Sequence, residues 1–106
     1  MDLGGNVNMK YANKNIRVNH FLQQRIPNKE EIIIIPQENN MPHWRKSLYL
    51  KGTALFIWNL INNGLSPNDI LCEMLKSFDV TKETAELDLD KFYDDLIDRK
   101  LLRIEG

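Results

Sequence analysis

Tyr49-Leu-Lys-Gly-Thr-Ala-Leu-Phe-Ile-Trp58 joins a strand pattern to a helix pattern within about two residues, and the rest of the chain arranges itself around that junction. Ser47, Leu48, Tyr49 and Leu50 form a short β-type run, Gly52 supplies a turn conformation, and Thr53 is expected to cap the helix. Ala54, Ile57, Trp58 and Ile61 share one helical stripe, while Phe56 and Leu60 lie nearly opposite. A short helix that is apolar on two sides is buried on two sides, which places it at the centre of the domain.

Moving toward the N-terminus, Ile32 to Ile35 are four consecutive β-branched residues, the strongest strand signal in the chain, and Pro36 is expected to end that strand. An earlier run with Phe21, Leu22 and Ile26 is separated from it by the turn chemistry of Pro27-Asn-Lys-Glu30. Residues 37–46 form a polar loop whose one large apolar side chain, Trp44, is expected to close the end of the sheet; the alternative is an anchor for a partner. Residues 1–18 read as a flexible tail, and residues 19–106 as the folded domain.

Toward the C-terminus, Ser66-Pro67-Asn68-Asp69 starts a second helix with a cap, a proline at its first position and an acid at its dipole. Its apolar stripe is Ile70, Leu71, Met74, Leu75 and Phe78, which leaves Cys72 on the polar side. The third helix begins near Thr81 and ends at Arg99 and Lys100; its core face is Ala85, Leu89, Phe92 and Leu96, with Tyr93 and Ile97 on one shoulder. Leu101, Leu102 and Ile104 return the chain to the core. The order strand, strand, strand, helix, helix, helix predicts an α+β, winged-helix-like domain in which a three-stranded antiparallel sheet packs on three helices.

A chain of 106 residues supports one modest core, and its net charge of -1 provides no global basic field for nucleic acid or an anionic membrane. The longest apolar runs, 32–35 and 54–58, fall far short of the roughly 18 residues that a membrane span needs. With a single cysteine and no secretory pattern at Met1, the cytoplasm is the expected compartment. No two of His20, His43 and Cys72 have metal-ligand spacing, and the Asp94, Asp95 and Asp98 cluster reads as a solvated face. Cys72 lacks a base or oxyanion pattern, and no glycine-rich phosphate loop is present. No catalytic residue, metal or cofactor is therefore expected, and the chain reads as a binding module, not an enzyme.

Two ligand classes follow. The second and third helices could form a DNA-binding pair, as in a winged-helix transcriptional regulator, but seven acids against four bases along the third helix oppose phosphate. A peptide is the better candidate. In a three-stranded sheet some edge is unpaired, and the short strand from Lys46 to Lys51, basic at both ends, can accept an added strand. The same exposed edge permits a homodimer, and its charges alternatively serve as ordinary protection against aggregation.

The opening stretch, followed by Leu60-Ile-Asn-Asn-Gly-Leu-Ser66 and closing in Leu96-Ile-Asp-Arg-Lys-Leu-Leu102, resembles the PqqD-like family of precursor-peptide recognition elements. The resemblance covers roughly residues 20–104, and its most specific part is the Leu-x-x-Thr-Ala-x-x-Ile-Trp spacing; Lys51 departs from the asparagine usual in the family. It implies a domain that binds the leader segment of a ribosomally made, later modified peptide by β-strand addition. The bound peptide is then presented to a separate modifying enzyme such as a radical SAM protein, cyclase or protease. Carried onto this chain, the resemblance implies that Lys46, Ser47, Leu48, Tyr49, Leu50 and Lys51 form the docking edge, with the backbones of Ser47, Tyr49 and Lys51 toward the leader. Asp90, Tyr93, Asp94 and Ile97 are the expected groove wall on the third helix, and Tyr93 is equally compatible with a core position. An orphan subunit that only stabilises a partner enzyme is a third reading.

Overall fold

The computed structural model describes residues 9–105. Its spine is β3 (Glu31–Glu38), which runs through Pro36 to Glu38 instead of stopping at the proline. Along β3 alternate residues divide between two faces: Ile32 and Ile34 enter the main core, while Ile33 and Ile35 lie on the opposite face. β2 (Phe21–Arg25) pairs antiparallel on one side, with Gln23 opposite Ile34. On the other side lie β5 (Leu48–Lys51), with Ile33 opposite Tyr49, and the two-residue β4 (Met41–Pro42) at the far end of β3. The three expected strands are thus present, extended by β4.

Three helices cover the core face of this sheet: α1 (Gly52–Asn62), α2 (Pro67–Ser77) and α3 (Lys82–Asp98). The caps of α2 and α3 are the expected ones, since Ser66 Oγ accepts from Asp69 N–H and Thr81 Oγ1 accepts from Thr84 N–H, both at 3.2 Å. The start of α1 differs. Gly52 takes a positive φ of 57° as the first helical residue, and no side chain caps this end, so Thr53 is not the cap. Trp58 is fully buried, edge-on to Phe21 with ring centroids 5.1 Å apart, and its indole N–H reaches Gln23 Oε1 at 3.4 Å.

The largest departure from the sequence reading concerns the N-terminal segment. Residues 1–8 of the expected tail lie outside the described residues, but from residue 9 onward the chain is part of the fold. Met9 and Tyr11 are buried in the core, and β1 (Asn15–Val18) pairs antiparallel with β6 (Leu102–Glu105) in a second, two-stranded sheet. Of the three residues expected to return to the core, Leu101 and Leu102 are buried, whereas Ile104, on the outward side of β6, is 44% exposed. Because the partners of 9–18 lie some eighty residues away, local periodicity carries no trace of this pairing. Trp44 also departs from expectation: it sits in a single 3-10 turn (Trp44–Lys46) before β5 and is 65% exposed, so it does not seal the sheet.

A groove between a free strand edge and the third helix

The direction of each backbone group on β5 follows from the bonds of β3. Glu31 C=O accepts from Ile26 N–H and Gln37 N–H donates to His20 C=O, so the odd-numbered residues of β3 turn toward the β2 side. Pro36 C=O accepts from His43 N–H on the other side, so the even-numbered residues face β5. Ile32 and Ile34 pair with Leu50 and Leu48, whose amides are therefore spent on β3. By the same parity the N–H and C=O groups of Tyr49 and Lys51 point away from β3, and no described strand pairs with them; those of Ser47, just before the strand, are spent on the Trp44 carbonyl and the Arg99 guanidinium. Side chains alternate in the same sense: Leu50 is buried in the core, while Tyr49 is 48% exposed on the outer face.

The C-terminal end of α3 stands beside this edge. Arg99, just past the helix, donates from Nη1 to Ser47 C=O at 2.6 Å and to Lys46 C=O at 3.4 Å, while its Nε is held by Asp95 Oδ1 at 2.9 Å. Lys46 Nζ in turn reaches Asp98 C=O at 3.3 Å. A planar guanidinium suits this double role, because its fork can bind a carboxylate and a carbonyl at once. The clasp fixes one end of a trough whose floor is the β5 edge. Phe92, Asp95 and Arg99, spaced i, i+3 and i+7, share one flank of α3, and the bonds of Asp95 and Arg99 bring the C-terminal end of that flank to the start of β5.

The opposite flank of α3, carrying Asp90, Asp94 and Ile97, is the one expected from sequence to wall the groove. In the structure it holds the N-terminal segment instead. Lys10 N–H donates to Asp90 Oδ1 at 2.9 Å, Lys10 Nζ bridges to Asp94 Oδ2 at 2.8 Å, and the Tyr11 hydroxyl donates to Asp94. These bonds, from Lys10 first and Tyr11 second, hold the Asp94 carboxyl below its ordinary value of 3.8. Tyr93 is only 2% exposed, with the Tyr11 ring 5.7 Å away, and burial pushes its phenol well above the usual range. It is therefore a core residue, and Phe92 takes the flanking position that the sequence reading assigned to Tyr93. A helical wheel orders both flanks correctly but leaves open which one meets the sheet.

Of the residues expected to form the edge, Leu48, Tyr49, Leu50 and Lys51 make up β5, whereas Lys46 closes the preceding 3-10 turn and Ser47 caps it; Asp90, Asp94 and Tyr93 are not brought to this strand. Arg99 is the neighbour of this strand that the sequence does not reveal, since at a helix end a basic residue reads only as a partner of the dipole. Hollows of about 390 and 350 Å³ lie elsewhere, one near His20 and Lys100 and the other near Arg25 and Glu31. Among the described residues no group of three or more His, Cys, Asp or Glu side chains could hold a metal ion, and no helix is long and apolar enough to cross a membrane.

The family model described as Coenzyme PQQ synthesis protein D (PqqD) matches residues 31–102, which span β3, β5 and all three helices. A 51-residue stretch is 37% identical to "Protein linkin" of Caenorhabditis elegans; the match covers 48% of this chain and 8% of that protein, so this chain spans less than a tenth of that curated relative. Among solved structures, the chain resembles "TbiB1 in Complex with the TbiA(beta) Leader Peptide", with a TM-score of 0.67, 21% identity, and coverage of 85% of this chain and 95% of that one. This last likeness is one of fold.

Proposed function

We propose, from the premise that this chain belongs to the PqqD family, that it binds the leader segment of a ribosomally synthesised precursor peptide by adding it as a strand to β5. The observation that carries this reading is the unpaired backbone edge of Tyr49 and Lys51, on a strand whose start is tied by Arg99 to the end of α3. Main-chain bonds from that edge supply affinity without demanding a particular sequence, and the side chains of α3 along the trough supply the selection. The TbiB1 structure, which has the same fold, is a complex with a leader peptide.

In this reading the docking edge is Lys46 to Lys51 and the wall is Phe92, Asp95 and Arg99, in place of the Asp90 and Asp94 flank. The domain performs no chemistry and uses no cofactor. It holds the leader while a separate enzyme, such as a radical SAM protein, cyclase or protease, works on the rest of the peptide in the cytoplasm. The acids on α3 oppose a DNA-binding role for the same helix.

The test is fluorescence anisotropy with labelled leader peptides made from the precursor genes beside this one. The expected dissociation constant is micromolar or tighter, about 8 kcal/mol of binding free energy. Absence of binding to every such leader, or retardation of duplex DNA with a steep salt dependence, would overturn the proposal.

A further inference from the structure

The sheet has a second unpaired edge, on β2. β2 pairs with β3 on one side, and no described strand pairs with the other. Since the odd-numbered residues of β3 turn toward β2, their partners Leu22 and Gln24 spend their amides on β3. The backbones of Phe21, Gln23 and Arg25 therefore face outward. Leu22, Gln23, Gln24 and Arg25 are all exposed.

Free edges in monomeric proteins usually carry guards: an inward charge, a proline, a bulge, or a covering element. At the start of β5 a covering element is present, the end of α3, with Arg99 on the carbonyls of Lys46 and Ser47. β2 has none in its interior; its one charge, Arg25, is terminal, and no proline occurs between residues 21 and 25.

We infer that β2 is a homodimerisation edge, pairing antiparallel with β2 of a second copy about a two-fold axis at Gln23. That register sets Phe21 opposite Arg25, Leu22 opposite Gln24 and Gln23 opposite itself. The three residues with outward backbones then meet three outward backbones, giving about six main-chain hydrogen bonds. No like charges face each other across the axis, and each Arg25 lies opposite an aromatic ring. The net charge of -1 adds little repulsion between copies. Leu22, Ile33 and Tyr49 on the outer sheet face would continue as one apolar band into the second copy. The contact is isologous and uses the β2 edge of both copies, so it closes at two chains, while the guarded β5 edges remain at the far ends of a continuous sheet. A foreign strand on β2 is the competing occupant. This inference does not depend on what binds β5.

Sedimentation velocity on the full chain tests it. The expected result is a concentration-dependent rise from 12.5 kDa toward about twice that mass, by mass action. The Leu22→Lys/Gln24→Lys double variant, which alters exposed side chains only, opposes lysines across the axis and should weaken the dimer at least tenfold with unchanged circular dichroism. In a Cys72→Ser background, Leu22→Cys chains mixed with Gln24→Cys chains should cross-link under mild oxidation, and Leu22→Cys alone should not. Tyr49→Pro should leave the dimer intact. A monomer at all concentrations up to about 500 µM, a dimer indifferent to the double variant, or one abolished by Tyr49→Pro would each overturn the inference.

Discussion

The two flanks of α3 carry similar residues and do different work. On one, Asp90 and Asp94 are occupied by Lys10 and Tyr11, which tie the N-terminal segment into the core. On the other, Asp95 orients Arg99 onto the carbonyls at the start of β5, leaving a trough between helix and strand edge. Both flanks pair an aspartate with a basic side chain. The difference lies in what stands opposite: a covered strap of the same chain in one case, and open main-chain donors and acceptors in the other. An acidic helix surface is therefore not one functional surface, and its charge alone does not locate a binding site.

Four measurements would break or sharpen this contrast. The largest effect is expected on the strap side, where Tyr11→Ala removes a buried aromatic ring and should cost about 3 kcal/mol in chemical denaturation while changing leader affinity less than about twofold. Next comes the edge. Tyr49→Pro removes an outward N–H without touching the β3–β5 ladder, so leader affinity should fall about a hundredfold in anisotropy titrations, with the unfolding midpoint nearly unchanged. An equal loss of stability in that variant would mean that the Tyr49 amide serves the fold.

A smaller effect is expected from Arg99→Ala, about tenfold in affinity, because the groove wall loses its tie to Ser47. Arg99→Lys should recover less than half of that free energy, since an ammonium cannot hold Asp95 and a carbonyl with one planar fork. If Asp94→Asn weakened the leader as much as Arg99→Ala, the assignment of flanks would be reversed. The smallest effect concerns pH. A carboxyl whose folded pKa is depressed stabilises above its ordinary value and loses that contribution as pH falls through the folded value. The strap should therefore stay docked from about pH 5 to 9 and loosen only below 3.8, seen as shifts of the Lys10 and Tyr11 amides in NMR spectra. The raised Lys10 and Tyr11 values add an upper limit, their contributions fading only above pH 10.

Much of this architecture is legible in the sequence. Four isoleucines, the Ser66 and Thr81 caps and the stripe through Ile57, Trp58 and Ile61 locate strands and helices, because each signal is local and repeats with the period of its element. The alternation of this strand is legible too: the pattern of Leu48 and Leu50 implies that Tyr49 and Lys51 look the other way, and the register agrees. Helix capping at Thr53 and the sealing role of Trp44 were misread, since backbone conformation at Gly52 and the path of a loop depend on packing that composition does not encode.

By itself, then, the sequence determined the elements, their order, the residues that share each face and the strand whose edge is offered. Tertiary structure alone decided which flank of α3 meets that edge, that Tyr93 is core and Phe92 is flank, and that residues 9–18 are part of the domain. The reason is physical. Periodicity specifies a side chain's angle about its own helix or strand axis, whereas the rotation of one element against another is set by the sum of long-range contacts, here including pairs more than eighty residues apart such as Tyr11 with Asp94 and Val18 with Leu102.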